Sequence, residues 1–160
     1  MRVVAVSDTH AENFRDLPDS LIGLFDAADM IVHAGDYTTI EVVDVMSSEY
    51  EFIGVHGNSD DPEVRRRLNQ FEVFEVDGVR VFLTHAGHFD HEFHDLAYRA
   101  MEFGAGLVIF GHIHRFHSEQ FGRVRVLCPG SPTRPRLSLP SCAVIDIDEG
   151  KVEIRRELIG

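Results

Sequence analysis

Lysine is almost missing from these 160 residues: Lys151 stands alone among 15 basic side chains, the rest being arginine, against 27 aspartates and glutamates. The formal net charge of -12 works against a basic surface for long polyanions, because nucleic-acid affinity rests on Lys and Arg neutralising phosphates. No long nucleic acid is expected as a partner. Cysteine is scarce too. Cys128 and Cys142 lie in apolar, strand-like runs and form no CxxC pair, which argues against a zinc knuckle or a disulfide framework and predicts two small buried residues. No run approaches the roughly 20 apolar residues of a membrane span. The opening MRVVAVSD is broken by Asp8 too soon for the apolar region of a signal peptide, so a soluble, cytoplasmic protein is the expectation. Repeats, low-complexity tracts and linkers are also absent. With 44% hydrophobic content, one domain over 1–160 is expected, with a core that needs no disulfide or structural metal.

What is present is a series of short β-rich runs, at 3–7, 30–34, 51–56, 79–84, 107–110, 124–127, 143–147 and 152–156. Helical patterning separates the early ones, over 17–28, 40–46, 62–68 and 90–103. The first carries Pro18 in its first turn and the third opens on Pro62 after Asp61 as N-cap, where a missing N–H costs least. In the last, Phe93, Leu96, Ala97 and Ala100 form an apolar stripe that stops before Gly104. Glu149–Gly150 sits between alternating runs and reads as a hairpin turn. Strand–helix alternation followed by strands implies an α/β protein with sheets covered by helices.

Seven potential metal ligands sit at the ends of those runs: Asp8 and His10 in SDTH, Asp36 in HAGD, Asn58 in HGNSD, His85 in LTHAGH, and His112 and His114 in FGHIH. In open α/β sheets, ligands bind outside the carboxyl ends of the strands. Carboxylate, imidazole and amide ligands gathered from five segments can hold two divalent cations about 3.5–4 Å apart, the geometry used for phosphoester hydrolysis. Singly, each has a bland explanation. Asp8, Asp36 and Asn58 suit turns, and a lone His85 suits a strand edge. Their joint occurrence in one short chain, with glycine before Asp36 and His112 to permit close approach, argues for one bimetallic site. His88, His91 and His94 recur every three residues, a spacing that leaves one helix face, so a solvated or rim cluster is expected. His33, His56 and His117 are read as structural, Arg65–Arg67 as a solvated helix face, and Arg134 and Arg136 as loop anchors or phosphate guides.

These residues give the chain its resemblance to the calcineurin-like metallophosphoesterases of the small archaeal and bacterial phosphodiesterase branch. It covers nearly the whole length, through D8-x-H10, G35-D36, G57-N58-S59-D60, H85 with G87-H88, G111-H112-I113-H114 and PGSPTRPR at 129–136. The resemblance implies a four-layer αββα sandwich of two mixed sheets flanked by helices. It implies one cation on Asp8, His10 and His114, a second on Asn58, His85 and His112, and Asp36 bridging them, with Asn58 also counted as catalytic. A bridging hydroxide acidified by both cations would attack phosphorus. Manganese is favoured, with iron, cobalt, nickel or zinc also compatible with mixed N/O donors.

Two departures matter. Ser59 stands where many members carry a histidine as leaving-group acid, beside the aspartate that corresponds to Asp60. Serine is a poor acid near neutral pH, and His88 is the candidate substitute. Tyr37-Thr38-Thr39 after Asp36 breaks the GDxxDRG pattern of phosphoprotein phosphatases. The expected activity is hydrolysis of small phosphodiesters. Small phosphomonoesters are the alternative substrate, and a scaffold like the related retromer subunit is the alternative class. The intact ligand set favours catalysis. A homo-oligomer is compatible with the sequence.

Overall fold

In the computed structural model, residues 1–86 and 93–160 are described. Among these described residues, ten strands form two five-stranded mixed sheets. In the first, β1 (Arg2–Val6), β2 (Met30–His33) and β3 (Phe52–Gly54) run parallel, and β9 (Ser141–Asp148) and β10 (Lys151–Leu158) extend the sheet antiparallel from β1. The second has the order β4 (Phe71–Val76), β5 (Val79–Thr84), β6 (Leu107–Ile109), β8 (Val124–Pro129) and β7 (Phe116–Phe121), with β5, β6 and β8 parallel.

Side-chain parity makes the layers. In β1, Val3 and Ala5 face the second sheet, joining Val81, Leu83, Leu107 and Ile145. Val4 and Val6 face the other way, against Leu21 and Phe25 of α1 (Asp19–Asp26) and Val42, Val43 and Met46 of α2 (Ile40–Glu49). A strand covered on both faces needs an unbroken apolar run rather than alternation, which is why RVVAV reads as it does. On the far side, Phe82, Val108 and Val126 pack on Leu96, Ala97 and Ala100 of α4 (His94–Glu102). Three apolar layers thus separate four structural ones, as expected. Each fully buried Leu, Phe or Met contributes about 1.5–3 kcal/mol. Cys128 and Cys142 are free and buried. Burial pushes both thiols up, that of Cys142 to about 12. Among the described residues no helix is long and apolar enough to cross a membrane.

Several boundaries shift. Strands β4 and β7 lie outside the predicted runs. Helix α1 opens at Asp19, one residue past Pro18, whose extended backbone (ψ 137°) makes it the N-cap. Helix α3 (Pro62–Arg67) matches its expected start. Phe93, with φ +56° immediately before α4, leaves the helix but keeps its place in the apolar stripe. The remainder of the predicted 90–103 segment, residues 90–92, lies outside the described residues. Glu149 and Gly150 make the expected turn with φ +46° and +83°, and Asp77 and Gly78 make a second one of the same kind, with φ +45° and +84°. The two tips touch: Gly150 N–H donates to the Asp77 carbonyl at 3.0 Å, tying the sheets together at the amino end of β1.

Candidate metal centre

At the other end, the loops after β1, β2, β3, β5 and β6 converge and bring all seven predicted ligands into one region. Backbone bonds seat them. Asp8 N–H donates to the Gly35 carbonyl (2.9 Å), His10 N–H to that of Asp36 (3.0 Å) and Gly111 N–H to that of His85 (2.9 Å). Asp8, His10, Asp36, His112 and His114 all have positive φ, between 42° and 74°. Non-glycine residues rarely adopt that region, and such strain collects at functional sites. Glycine is required where loops touch: a Cβ on Gly57 would lie 2.1 Å from Asp36 Oδ1, and one on Gly35 2.8 Å from His85 Nδ1.

Two donor sets result. Asp8, His10, Asp36 and His114 each offer one ligand atom, all within 4.8 Å of one another. Asn58 Oδ1 lies 2.9 Å from His85 Nε2 and 3.0 Å from His112 Nδ1. Asp36 Oδ2 lies between the sets, 3.7 Å from His10 Nε2 and 3.4 Å from His85 Nε2. Two carboxylates, Asp8 and Asp36, are 0% and 2% exposed, and only histidines approach them in ion-pair geometry among the described residues.

The tautomers show what fits there. His85 Nδ1 must donate to the Ala34 carbonyl at 2.7 Å, and His114 Nδ1 to the Arg134 carbonyl at 2.7 Å. Each neutral ring then turns the lone pair of Nε2 toward acceptors: His85 toward Asn58 Oδ1 and Asp36 Oδ2, His114 toward Asp8 Oδ1 at 3.3 Å. Acceptor facing acceptor is satisfied by a proton or a cation. Ligands about 2.1 Å from a cation and at right angles are ~3 Å apart, which matches these separations. The donor set therefore fits divalent metal ions.

Titration follows the same contacts. Burial opposes the charge of Asp36, but hydrogen bonding and attraction from His85 and the Ser59 N–H hold its carboxyl well below the usual carboxylate range. Burial likewise opposes protonation of His85, and Asp36 with Asp8 raises it above its ordinary value regardless. The Asp8 hydrogen bond raises His114. Burial lowers His10 and His112.

Sequence reasoning missed the supports. Asp60 pairs with no acid group. Its Oδ2 accepts the N–H of Asp36 (3.0 Å) and Gly57 (2.6 Å), its Oδ1 that of Thr38 (2.9 Å), so it clamps two ligand loops. The GNSDD run of turn formers was the available signal. Arg65, read as part of a solvated face, donates from Nε to the Asp60 carbonyl at 3.1 Å and from Nη2 to that of Asn58. Arg67 does reach outward, pairing with Asp44 at 2.8 Å. Ser131 Oγ donates to the Asp8 carbonyl at 2.7 Å. His33 is structural as expected: its Nδ1 accepts Gly35 N–H at 3.1 Å and its Nε2 meets Thr9 Oγ1 at 3.0 Å. His117 pairs with Glu119 at 3.1 Å, and His94 packs edge-on against Phe121. His88 and His91 lie outside the described residues, so the expected acid role of His88 has no geometry here. Ser59 is exposed at the mouth. It shares with His10, His114, Arg134 and Arg136 the lining of a cavity of about 600 Å³.

Comparison with known proteins identifies the family and the fold. The family model described as calcineurin-like phosphoesterase superfamily domain matches residues 1–150. A probable metallophosphoesterase of Methanothermobacter thermautotrophicus is 30% identical over 155 residues, 96% of this chain and 90% of its own length. The structure of an archaeal phosphodiesterase superimposes with TM-score 0.76 at 22% identity, covering 98% of this chain and all of that one. The structure of Vps29 complexed with Zn²⁺ from Entamoeba histolytica gives TM-score 0.77 at 20% identity, covering all of both chains.

Proposed function

Because the chain belongs to the calcineurin-like phosphoesterase superfamily, we propose that it is a divalent-metal-dependent phosphodiesterase hydrolysing small phosphoesters, with two cations held on either side of Asp36. The observation that carries this reading is a carboxylate shared by two donor sets, with the Nδ1 of His85 and of His114 bonded to a backbone carbonyl so that Nε2 is the nitrogen turned inward. Asp8, His10 and His114 would hold one cation and Asn58, His85 and His112 the other. Mixed N/O donors suit manganese, and equally iron, cobalt, nickel or zinc. Such a pair, when bound, supplies an acidified water and positive charge for the phosphoryl oxygens.

The chain's own residues do the positioning. The Ala34 and Arg134 carbonyls hold the two imidazoles in the metal-binding tautomer, the arrangement by which outer partners orient ligands. Asp60 and Arg65 hold the loop that carries Asn58. Arg134 and Arg136 bring positive charge to a cavity wall in an otherwise acidic chain, where a phosphoester anion would lie. Ser59 at the mouth offers no acid of suitable pKa, so esters with stable leaving groups are the preferred substrates. Similarity to an archaeal phosphodiesterase favours diesters over monoesters.

Elemental analysis of the purified protein, with hydrolysis of bis(4-nitrophenyl) phosphate and 4-nitrophenyl phosphate in each metal, tests the reading. Two equivalents of metal and faster diester turnover, lost in Asp36→Asn, are expected. Metal uptake without turnover of either ester would overturn the enzyme and put an interaction scaffold first. Turnover is the deciding measurement, since Vps29 with the same fold also takes Zn²⁺.

A further inference from the structure

A second cavity, of about 690 Å³, shares no residue with the metal centre and lies between β10 and the inner faces of β8 and β7. Strand parity decides what lines it. Val124, Val126 and Cys128 of β8 pack toward α4 and Leu127 packs between the sheets, so Arg125, an even number of residues from Leu127, turns to the inter-sheet side. Its cross-strand partner Gln120 accepts from Nε at 3.0 Å, and Ser118 accepts from Nη1 at 3.2 Å. These bonds orient the guanidinium without neutralising it. Nη2 keeps no protein partner among the described residues.

Across the gap, Val152, Ile154 and Arg156 face inward from β10, and the Arg156 guanidinium sits 5.6 Å from the Phe116 ring centroid. Arg123, at the β7–β8 turn, and Arg80 complete the lining. Glu75 is the one acid there among the described residues, and it is engaged by Arg80 at 3.8 Å. Arg123, Arg125 and Arg156 have no carboxylate partner among the described residues. Four arginines against one glutamate, in a chain of 27 acids and 15 bases, is an inversion of the general surface. Charges on edge strands deter sheet-to-sheet pairing, which accounts for Arg156. Arg125 lies on an interior strand and turns, half-buried, into the groove between the sheets, where edge protection does not account for it.

We propose that this groove is a second ligand site that takes an organic anion. Its apolar body would lie against Phe116, Val152 and Ile154, and its sulfonate, phosphate or carboxylate on the arginines, Arg125 foremost. The site is independent of the hydrolytic reading. Anilinonaphthalene sulfonate, which joins an apolar body to an anion, is the probe, titrated by fluorescence and calorimetry into the full chain as purified. One dye per chain is expected, with Kd raised roughly tenfold or more by Arg125→Gln and by Arg156→Gln, the loss of a charge-assisted bond. Hydrolysis at the metal centre should be unchanged in both. Near-UV circular dichroism checks that each variant is folded. Should Arg125→Gln fail to fold, Arg156→Gln, at an exposed edge position, decides alone. Absence of saturable binding, an unchanged Kd in the folded variants, or loss of the dye in Asp36→Asn would each overturn the proposal.

Discussion

His85 and His114 share one device: a backbone carbonyl takes the Nδ1 proton and leaves Nε2 facing the carboxylates. His112 differs in presenting Nδ1, 3.0 Å from Asn58 Oδ1. If it holds a cation, His112→Ala should lower hydrolysis by about 100-fold or more, the scale seen when charge stabilisation is removed. Thermal stability in chelator should barely move, since the half-exposed ring lies outside the apolar layers, while added metal should stabilise the variant less than the parent. A variant with parental turnover and parental metal response would remove His112 from the centre. Ser59 allows a second residue-scale test. Its N–H serves Asp36 at 2.9 Å, a bond any residue keeps, so Ser59→His should fold and should speed only esters with basic leaving groups. Equal gains across a leaving-group series would show that protonation was never limiting.

Among the elements, those with long apolar or alternating runs were legible, and those decided by tertiary contact were not. Strand β7, FHSEQF, shows only half-buried or exposed residues because it is an edge that pairs on one side with β8. Strand β4 is likewise an edge. Its turn, Asp77-Gly78, was the overlooked signal, being the same hairpin chemistry recognised at Glu149-Gly150. With φ +84° at Gly78 and only ordinary van der Waals contact awaiting a Cβ there, 3.7 Å from Gly150 N, Gly78→Val should destabilise chiefly through backbone strain. The expected loss is about 1–2 kcal/mol in urea unfolding. Hydrolysis should be unchanged, since the turn is at the far end of the sheets. A loss of activity without a loss of stability would contradict this separation of the two ends.

For the whole molecule, the three apolar layers share their sheets, so unfolding should be one cooperative transition. The cation-binding end adds linkage to that transition. Metal that binds the native state alone should raise stability by about 2.7 kcal/mol at a free concentration 100-fold over Kd, and chelation should reverse the gain without unfolding the chain. Calorimetric scans across a metal series, beside a titration saturating at two ions per chain, check both. Saturation at one ion, with Asp36→Asn binding as tightly as the parent, would remove the bridge from the proposal.

The amino-acid order by itself determined an α/β chain with sheets covered by helices and the chemical types at the centre, because both depend on local pattern: apolar runs of strand length, and ligand residues placed directly after them; the four-layer count came from the family resemblance. It also implied that the chain's few basic residues leave phosphate chemistry to bound cations. Only the tertiary structure decided how those types are used. Asp60 clamps backbone rather than pairing an acid, Arg65 holds the Asn58 loop rather than facing solvent, and Arg125 turns into a groove between sheets. The tautomers of His85 and His114 depend on carbonyls of Ala34 and Arg134, 51 and 20 residues away along the chain. Hydrogen-bond direction and strand parity against a second sheet are properties of folded pairs, many of them distant in sequence, and residue type along the chain does not record them.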